Sequence, residues 1–195
     1  MYDQFLPLIL FGIATAFTPG PNNILSSYSG FNFGYKKTLP LILAVISGWT
    51  LLLVLMNTGL IIIFRQYPFI QEIIRILGSI FLVYLAYLIS FSKPSKGAPL
   101  KNPISFSKAF ILQFINPKSL VVSMTTVSIF IDPANYLRDS LIVISFFFLM
   151  AVLSINSWCL MGMYLRNFAT SEKFIRNFNY TMSFLLIVCV IMFYV

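Results

Sequence analysis

The sequence has no histidine, only two cysteines and only five acidic residues in 195 positions. Without histidine, the commonest metal ligand and the side chain that most readily exchanges protons near neutral pH are both missing. Cys159 and Cys189 each stand alone in an apolar segment, so they form neither a CxxC pair nor a metal-ligand spacing, and we expect free buried thiols. A glycine-rich phosphate loop, a Ser-His-Asp set and a close pair of carboxylates are absent as well. We therefore predict no metal site, no cofactor, no catalytic residue and no enzymatic activity.

Charged residues are also scarce, at 9%, whereas a soluble domain has about a quarter. Apolar residues make up 59% and aromatic residues 17%, and the mean hydropathy is +0.91. This composition is typical of an integral membrane protein, whose main partner is the lipid bilayer. The net charge of +8 comes from Lys and Arg between apolar segments rather than from a basic face with interleaved aromatics, so we expect no nucleic-acid partner.

Six apolar segments are each long enough to cross a hydrocarbon core of about 30 Å as a helix. The first has no positive flank and no small-residue cleavage site, which predicts a retained span rather than a signal peptide. The sequence therefore predicts an all-α polytopic membrane protein, with a single integral membrane domain over residues 1–195. The six predicted spans run from Phe5 to Tyr28, Leu39 to Phe64, Phe69 to Phe91, Ala109 to Ile131, Leu141 to Leu165 and Phe178 to Val195.

The basic residues predict the orientation of these spans. Nine lie on one side of the predicted membrane and three on the other, while Lys118 lies inside a span. Because loops rich in Lys and Arg face the cytoplasm, both termini should face outside. The cytoplasmic group is Lys36, Lys37, Lys93, Lys96, Lys101, Lys108, Arg166, Lys173 and Arg176, and the outer group is Arg65, Arg75 and Arg138.

The chain divides into two halves, 1–91 and 108–195, joined by a predicted cytoplasmic linker, 92–107. Each half holds three predicted spans, and an odd number gives the halves opposite orientations in the bilayer. The first span of each half carries a proline break, at Thr18-Pro19-Gly20-Pro21 and at Asn116-Pro117. We therefore predict two inverted three-helix repeats, in which helices one and four are broken near mid-membrane.

Each break supplies polar groups for a binding site. A polar residue precedes a proline in both, so we expect Thr18 and Asn116 to be the N-caps of new half-helices. The free N–H groups of these half-helices suit a substrate carboxylate, and the carbonyls released upstream suit an ammonium group. The alternative is that the prolines only kink packed helices. The predicted substrate-binding residues are Thr18, Pro19, Gly20, Pro21, Asn22, Asn23, Gln113, Asn116, Pro117 and Lys118.

Lys118 is the one charge well inside a predicted span. An ion at that depth costs at least a few kcal/mol unless it has a partner or water, and no acidic residue lies at a comparable depth. Its partner is either a carbonyl released by the first break or the substrate carboxylate. Both a structural clasp and a substrate contact therefore stay open.

Four further polar residues are secondary candidates for the wall of a cavity. Core packing, anchoring at the membrane interface or hydrogen bonds between helices explain them more simply. They are Tyr84, Tyr87, Asn156 and Ser157.

Proton exchange and self-association have weaker signals. Asp132 is the first candidate for carrying protons, although a turn at Asp132-Pro133 is the simpler interpretation. Small residues at Gly12 to Ala16 and at Ser47 to Leu51 allow contact with a second copy in a homo-oligomer.

A specific motif, Thr18-Pro19-Gly20-Pro21-Asn22-Asn23, opens a pattern that continues along the whole chain. Together with the later stretches, it resembles the LysE/RhtB family of amino-acid exporters. The resemblance implies a small inner-membrane carrier that expels amino acids and their derivatives, generally by use of the proton gradient. The later stretches are Asn32-Phe33-Gly34, Leu77-Gly78, Tyr84-Leu85-Ala86-Tyr87, Pro103-Ile104-Ser105-Phe106 and Gln113-Phe114-Ile115-Asn116-Pro117-Lys118.

Within that family, Asn22-Asn23-Ile24-Leu25 and the segment from Pro103 to Phe114 are most similar to the cysteine/O-acetylserine exporters. We therefore expect a secondary transporter of the bacterial cytoplasmic membrane that exports small neutral amino acids by alternating access, with proton antiport. Exporters of threonine or homoserine, leucine or lysine share much of the pattern and remain alternatives. A different class, a membrane thiol-disulfide electron conduit, would need cysteines beside the breaks, and Cys159 and Cys189 are far from both in sequence.

Overall fold

The computed structural model describes residues 2–91, 103–169 and 171–194. These residues form helices with short connections and contain no strand, so the all-α prediction is confirmed for the described part of the chain. Most of the predicted linker, including Lys93, Lys96 and Lys101, lies outside the described residues. So does Val195, the predicted end of the sixth span.

Nine α-helices follow one another in the described ranges. A π turn, Met56–Leu60, joins α3 to α4, and Gly59 in it has a φ of 135°, which residues with a side chain rarely adopt. A short 3-10 turn, Pro133–Asn135, precedes α8. The helices are α1 Tyr2–Phe17, α2 Pro21–Phe33, α3 Tyr35–Leu55, α4 Ile61–Gln66, α5 Pro68–Ser90, α6 Phe106–Ile115, α7 Pro117–Phe130, α8 Tyr136–Arg166 and α9 Glu172–Met192.

Four of the described helical segments are long and apolar enough to cross a membrane. The pair α1 and α2 would make a fifth span, bent by 50° at its break, and α6 is a shorter apolar helix. The four segments are Tyr35–Gln66, Pro68–Ser90, Pro133–Arg166 and Glu172–Met192.

The first break differs from the prediction in one respect, because Gly20, and not Thr18, is the N-cap of α2. Pro21 occupies the first helical position, and a proline disfavours helical conformation in the residue before it. Gly20 is accordingly extended, with φ −162° and ψ 171°, and α2 cannot begin before Pro21. The expectation that Thr18 would cap the half-helix was therefore wrong.

The second break follows the prediction. Asn116 is the N-cap of α7, Pro117 takes the first helical position, and the Asn116 side chain accepts a hydrogen bond from the Lys118 backbone N–H at 3.1 Å. The hydrogen bond that caps α7 is therefore formed within Asn116, Pro117 and Lys118.

The buried apolar residues form two separate cores. One core contains residues of α2, α6 and the second part of α8, among them Ile24, Leu112 and Ile155. The other core contains residues of α1, α7 and the first part of α8, among them Leu8 and Phe147. At each break, the helix before it and the helix after it therefore contribute buried residues to different cores.

The helix α2 packs closely against α8 through small residues. The Ser26 hydroxyl donates to the Ile155 carbonyl at 2.9 Å, and side chains added at Gly30 or Gly162 would collide with the backbone of the other helix, at Cys159 or Ser27. This seam fixes the start of α2 relative to α8.

Candidate binding site at the two helix breaks

A cavity of about 90 Å³ lies at the level of both breaks. Its walls come from α1, α2, α3, α7 and α8, so both halves of the chain contribute. The lining residues are Thr15, Ala16, Gly20, Pro21, Asn22, Asn23, Val45, Trp49, Asn116, Lys118, Ser119, Val122, Phe147, Met150, Ala151, Ser154 and Ile155.

Lys118 reaches from the second break to the first. Its ammonium group donates to the Thr18 carbonyl at 3.1 Å and to the Thr18 hydroxyl at 2.9 Å. A Cβ at Gly20 would lie 2.9 Å from both Cδ and Nζ of Lys118, so the lysine passes against a backbone that carries no side chain. Gly20 is therefore required by this close approach rather than by its backbone conformation.

The N-terminus of α2 keeps unused donors beside this ammonium. Gly20 provides no side-chain cap, and Pro21 has no N–H. The first helical bond runs from the Ile24 N–H to the Gly20 carbonyl at 2.9 Å, which leaves the backbone N–H groups of Asn22 and Asn23 without an acceptor among the described residues. A helix N-terminus with free N–H groups attracts anions.

The carbonyls released by the first break are already occupied. The Asn23 side chain donates to the Ala16 carbonyl at 2.7 Å and to the Thr18 carbonyl at 3.0 Å. The Ser154 hydroxyl donates to the Ala16 carbonyl at 2.6 Å, and Lys118 takes the second position on Thr18. Each carbonyl oxygen thus accepts two hydrogen bonds, so these two groups have no capacity left for an ammonium ligand.

Asn22 and Gln113 join the two breaks by a second contact. The Asn22 amide donates to the Gln113 side-chain oxygen at 2.7 Å, and the Gln113 amide donates back at 3.0 Å and also to the Ala109 carbonyl at 2.9 Å. Gln113 is fully buried. It does not line the cavity, but it holds the side chain of a residue that does.

The structure brings six of the ten predicted binding residues to the cavity wall. Lining the wall are Gly20, Pro21, Asn22, Asn23, Asn116 and Lys118. The other four, Thr18, Pro19, Gln113 and Pro117, do not line it, although Thr18 and Gln113 bond to the lining residues Lys118 and Asn22.

The four secondary candidates lie away from the cavity. Tyr84 and Tyr87 are exposed on α5, and Ser157 is exposed on α8, where it donates to the Leu153 carbonyl. Asn156 accepts a hydrogen bond from the Tyr35 hydroxyl at 2.6 Å, which joins α3 to α8.

Several cavity residues were not expected from the sequence. Trp49 and Phe147 form an aromatic wall, with ring centroids 6.2 Å apart. Such residues are so common in membrane spans that nothing in the sequence distinguishes them. Serine is also common in membrane helices, so Ser119 and Ser154 were not predicted to line the cavity. For Ser119, its place directly after Lys118 in the first turn of α7 could have indicated a position near the binding site.

No acidic side chain lines the cavity within the described ranges. Asp132 is exposed and caps the 3-10 turn by accepting from the Ala134 N–H at 2.9 Å. Asp139 is buried at the start of α8 and pairs with Arg138 at 3.0 Å. The cavity therefore combines an ammonium group and free N–H groups with no fixed counter-charge, and it is chemically suited to bind an anion.

Comparison with known proteins gives a consistent result. A family model described as LysE type translocator matches residues 13–195. The chain is similar to the cysteine/O-acetylserine efflux protein of Klebsiella pneumoniae subsp. pneumoniae, with 26% identity over 94% of this chain and 93% of that protein. It is 28% identical to the protein of the same name from Escherichia coli O139:H28 and 27% identical to that from Escherichia coli K12, in both cases over 92% of this chain and 91% of the relative. No solved structure matches the chain.

Proposed function

This chain belongs to the LysE family of translocators, and we propose that it exports a small neutral amino acid or derivative, of the cysteine/O-acetylserine type, across the bacterial cytoplasmic membrane. The proposal places the α-carboxylate at the start of α2. Threonine or homoserine, leucine and lysine remain the alternative substrates.

The observation that carries this proposal is the convergence of Lys118 on the N-terminus of α2. The Lys118 ammonium lies beside Gly20, and the free N–H groups of Asn22 and Asn23 belong to the same helix end. A cation at the positive end of a helix is unfavourable unless an anion lies between them. Since no acidic side chain among the described residues lines the cavity, a substrate carboxylate is the group that satisfies both.

The remaining walls favour a small uncharged side chain. Trp49, Val122, Phe147 and Met150 make most of the cavity apolar. At roughly 10–15 Å³ for each water-sized group, about 90 Å³ holds a ligand of the size of a small amino acid. A second ammonium, as in lysine, would meet no carboxylate among the lining residues, which favours a neutral substrate over a dibasic one.

The packing of the helices supports six spans in two inverted repeats. We take α1 with α2 as the first span and α6 with α7 as the fourth. The first span then packs on the fifth, α8, and in the same way the fourth packs on the second, α3 with α4. The third and sixth spans, α5 and α9, pack on each other. Exchanging the halves therefore preserves the main contacts, as an inverted repeat requires.

Two polar links suit alternating access between the sides of the membrane. Asn22 and Gln113 link α2 to α6 on the linker side of the cavity, while Lys118 and Thr18 link α7 to the end of α1 on the terminal side. We propose that the links open in turn. With both termini outside, the Asn22–Gln113 link closes the cytoplasmic side.

Counterflow in proteoliposomes tests the proposed function. Purified protein should exchange at least one of cysteine, O-acetylserine, threonine and leucine, with lysine the poorest, and an imposed proton gradient should change the net flux. Absence of exchange for the whole panel would contradict the proposal. A Cys159→Ser, Cys189→Ser double variant should keep full exchange, since both cysteines are free and buried; loss of activity would favour the thiol-disulfide conduit instead.

A further inference from the structure

Ser119 is a buried polar residue that takes part in neither of the two links across the cavity. It is 5% exposed, lies in the first turn of α7 and lines the cavity. Neither its hydroxyl nor its backbone N–H has a hydrogen-bond partner in the described part of the chain. Because Ser119 is almost fully buried and lines the cavity, a ligand in the cavity is placed to supply an acceptor for its hydroxyl.

In the proposed function, the substrate carboxylate binds at the first break and not beside Ser119. Lys118 and the free N–H groups of α2 already provide donors for it at the first break. Ser119 lies three residues before Val122 and therefore shares its helix face, which belongs to the apolar part of the cavity with Trp49 and Phe147. Ser119 thus presents its hydroxyl to the region that receives the substrate side chain.

We propose that Ser119 is a specificity-determining residue whose hydroxyl donates a hydrogen bond to an oxygen in the substrate side chain. The inference rests on the proposed function and narrows the substrate to small neutral amino acids with a hydroxyl, ester or similar acceptor. Aliphatic amino acids of the same size would leave the Ser119 hydroxyl unpaired in the complex. A site built for such a hydrogen bond rejects ligands that lack it.

Ser123 provides a matched control on the same helix. It is fully buried one turn after Ser119, but its hydroxyl donates to the Leu120 carbonyl at 2.9 Å and it does not line the cavity. A Ser123→Ala variant therefore loses a buried hydroxyl without changing the ligand's surroundings. Ser119→Thr retains a hydroxyl at the proposed position and serves as the conservative variant.

The test compares L-serine with L-2-aminobutyrate, in which a methyl group replaces the hydroxyl. Both are measured as inhibitors of counterflow of the best substrate from the panel. Wild-type protein should prefer serine by about 10-fold or more, the range expected for a buried hydrogen bond of this kind. Ser119→Ala should reduce that preference at least about fivefold, whereas Ser123→Ala and Ser119→Thr should retain it.

An equal loss of both inhibitors in Ser119→Ala would overturn the inference, because it would make Ser119 a carboxylate contact or a structural residue. A wild-type protein that does not prefer serine would overturn it as well. Failure of the proposed function is a different result, in which wild-type protein exchanges no amino acid of the panel.

Discussion

The two helix breaks begin their second half-helix in the same way but complete the turn differently. In both, the N-cap carbonyl accepts the first helical hydrogen bond, from Ile24 N–H at 2.9 Å or Leu120 N–H at 3.1 Å. At the second break the Asn116 side chain also pairs the Lys118 N–H, so that in the first turn of α7 only the Ser119 N–H lacks an acceptor among the described residues. At the first break Gly20 has no side chain to do this, and the N–H groups of both Asn22 and Asn23 lack an acceptor in the same described ranges.

This difference separates two roles. The second break is capped by its own Asn116 side chain and directs Lys118 across the cavity. At the first break the carbonyls of Ala16 and Thr18 are paired by the side chains of Asn23, Ser154 and Lys118, of which the last two lie on other helices. The carboxylate should therefore bind at the first break, and the second should act mainly by positioning the lysine. Four substitutions test this division of roles, from the largest expected effect to the smallest.

Replacing Lys118 with Met should weaken substrate binding by about 30-fold or more, because one partner of a charge-assisted contact is removed from a low-dielectric site. Half-saturation of counterflow and substrate-induced thermal stabilisation measure the effect. Lys108→Met, at an exposed position on α6, is the control and should behave as wild type. Loss of assembled protein with unchanged affinity in the remainder would instead make Lys118 a structural clasp.

Replacing Asn22 with Ala should cost about 1–3 kcal/mol of stability, because the fully buried Gln113 amide loses its reciprocal partner. The melting temperature should fall, and export should be lost while membrane insertion is largely retained. An exchanged pair, Asn22→Gln with Gln113→Asn, restores the chemistry and should recover part of the stability. A double Ala variant whose two effects simply add would argue against the pair.

Replacing Gly20 with Ala should weaken binding about tenfold, because the new Cβ would displace the Lys118 side chain, with little effect on folding. The extended backbone at Gly20 tolerates alanine. The informative comparison is the same change in the Lys118→Met background, where the penalty should nearly vanish. An unchanged penalty in that background would mean that Gly20 acts independently of Lys118.

Replacing Asn116 with Ala should cost about 1 kcal/mol of stability through loss of the N-cap, and Asn116→Gly only a few tenths. The glycine variant makes the second break resemble the first. Unfolding followed by circular dichroism in detergent measures both. A loss of substrate affinity in Asn116→Gly as large as in Lys118→Met would show that the second break binds substrate directly.

Proline position and residue type were enough to find both breaks from the sequence. Asn116 followed by Pro117 allows one interpretation, an N-cap followed by the first helical residue, and this N-cap was predicted correctly. The first break has two prolines, and the second of them moves the cap from Thr18 to Gly20, which a rule based on one proline does not anticipate. The position of the N-cap could therefore be predicted from the sequence only at the break that contains a single proline.

The wall of the cavity was far less predictable. The contact between Lys118 and Thr18 joins residues 100 positions apart. From the sequence alone, a carbonyl of the first break and the substrate carboxylate were both possible partners of Lys118. Trp49, Phe147 and Ser119 belong to residue types with many ordinary roles in membrane helices. Their role depends on which helix faces meet, and only the three-dimensional arrangement determines that.

The most direct test of the account compares an amino acid with its carboxamide, which has the same shape but no negative charge. Inhibition of counterflow by cysteine and by cysteinamide is measured for wild-type protein and for Lys118→Met. Wild-type protein should prefer the acid strongly, and the preference should fall at least about tenfold in Lys118→Met. An equal preference in both proteins would contradict the placement of the carboxylate between Lys118 and the start of α2.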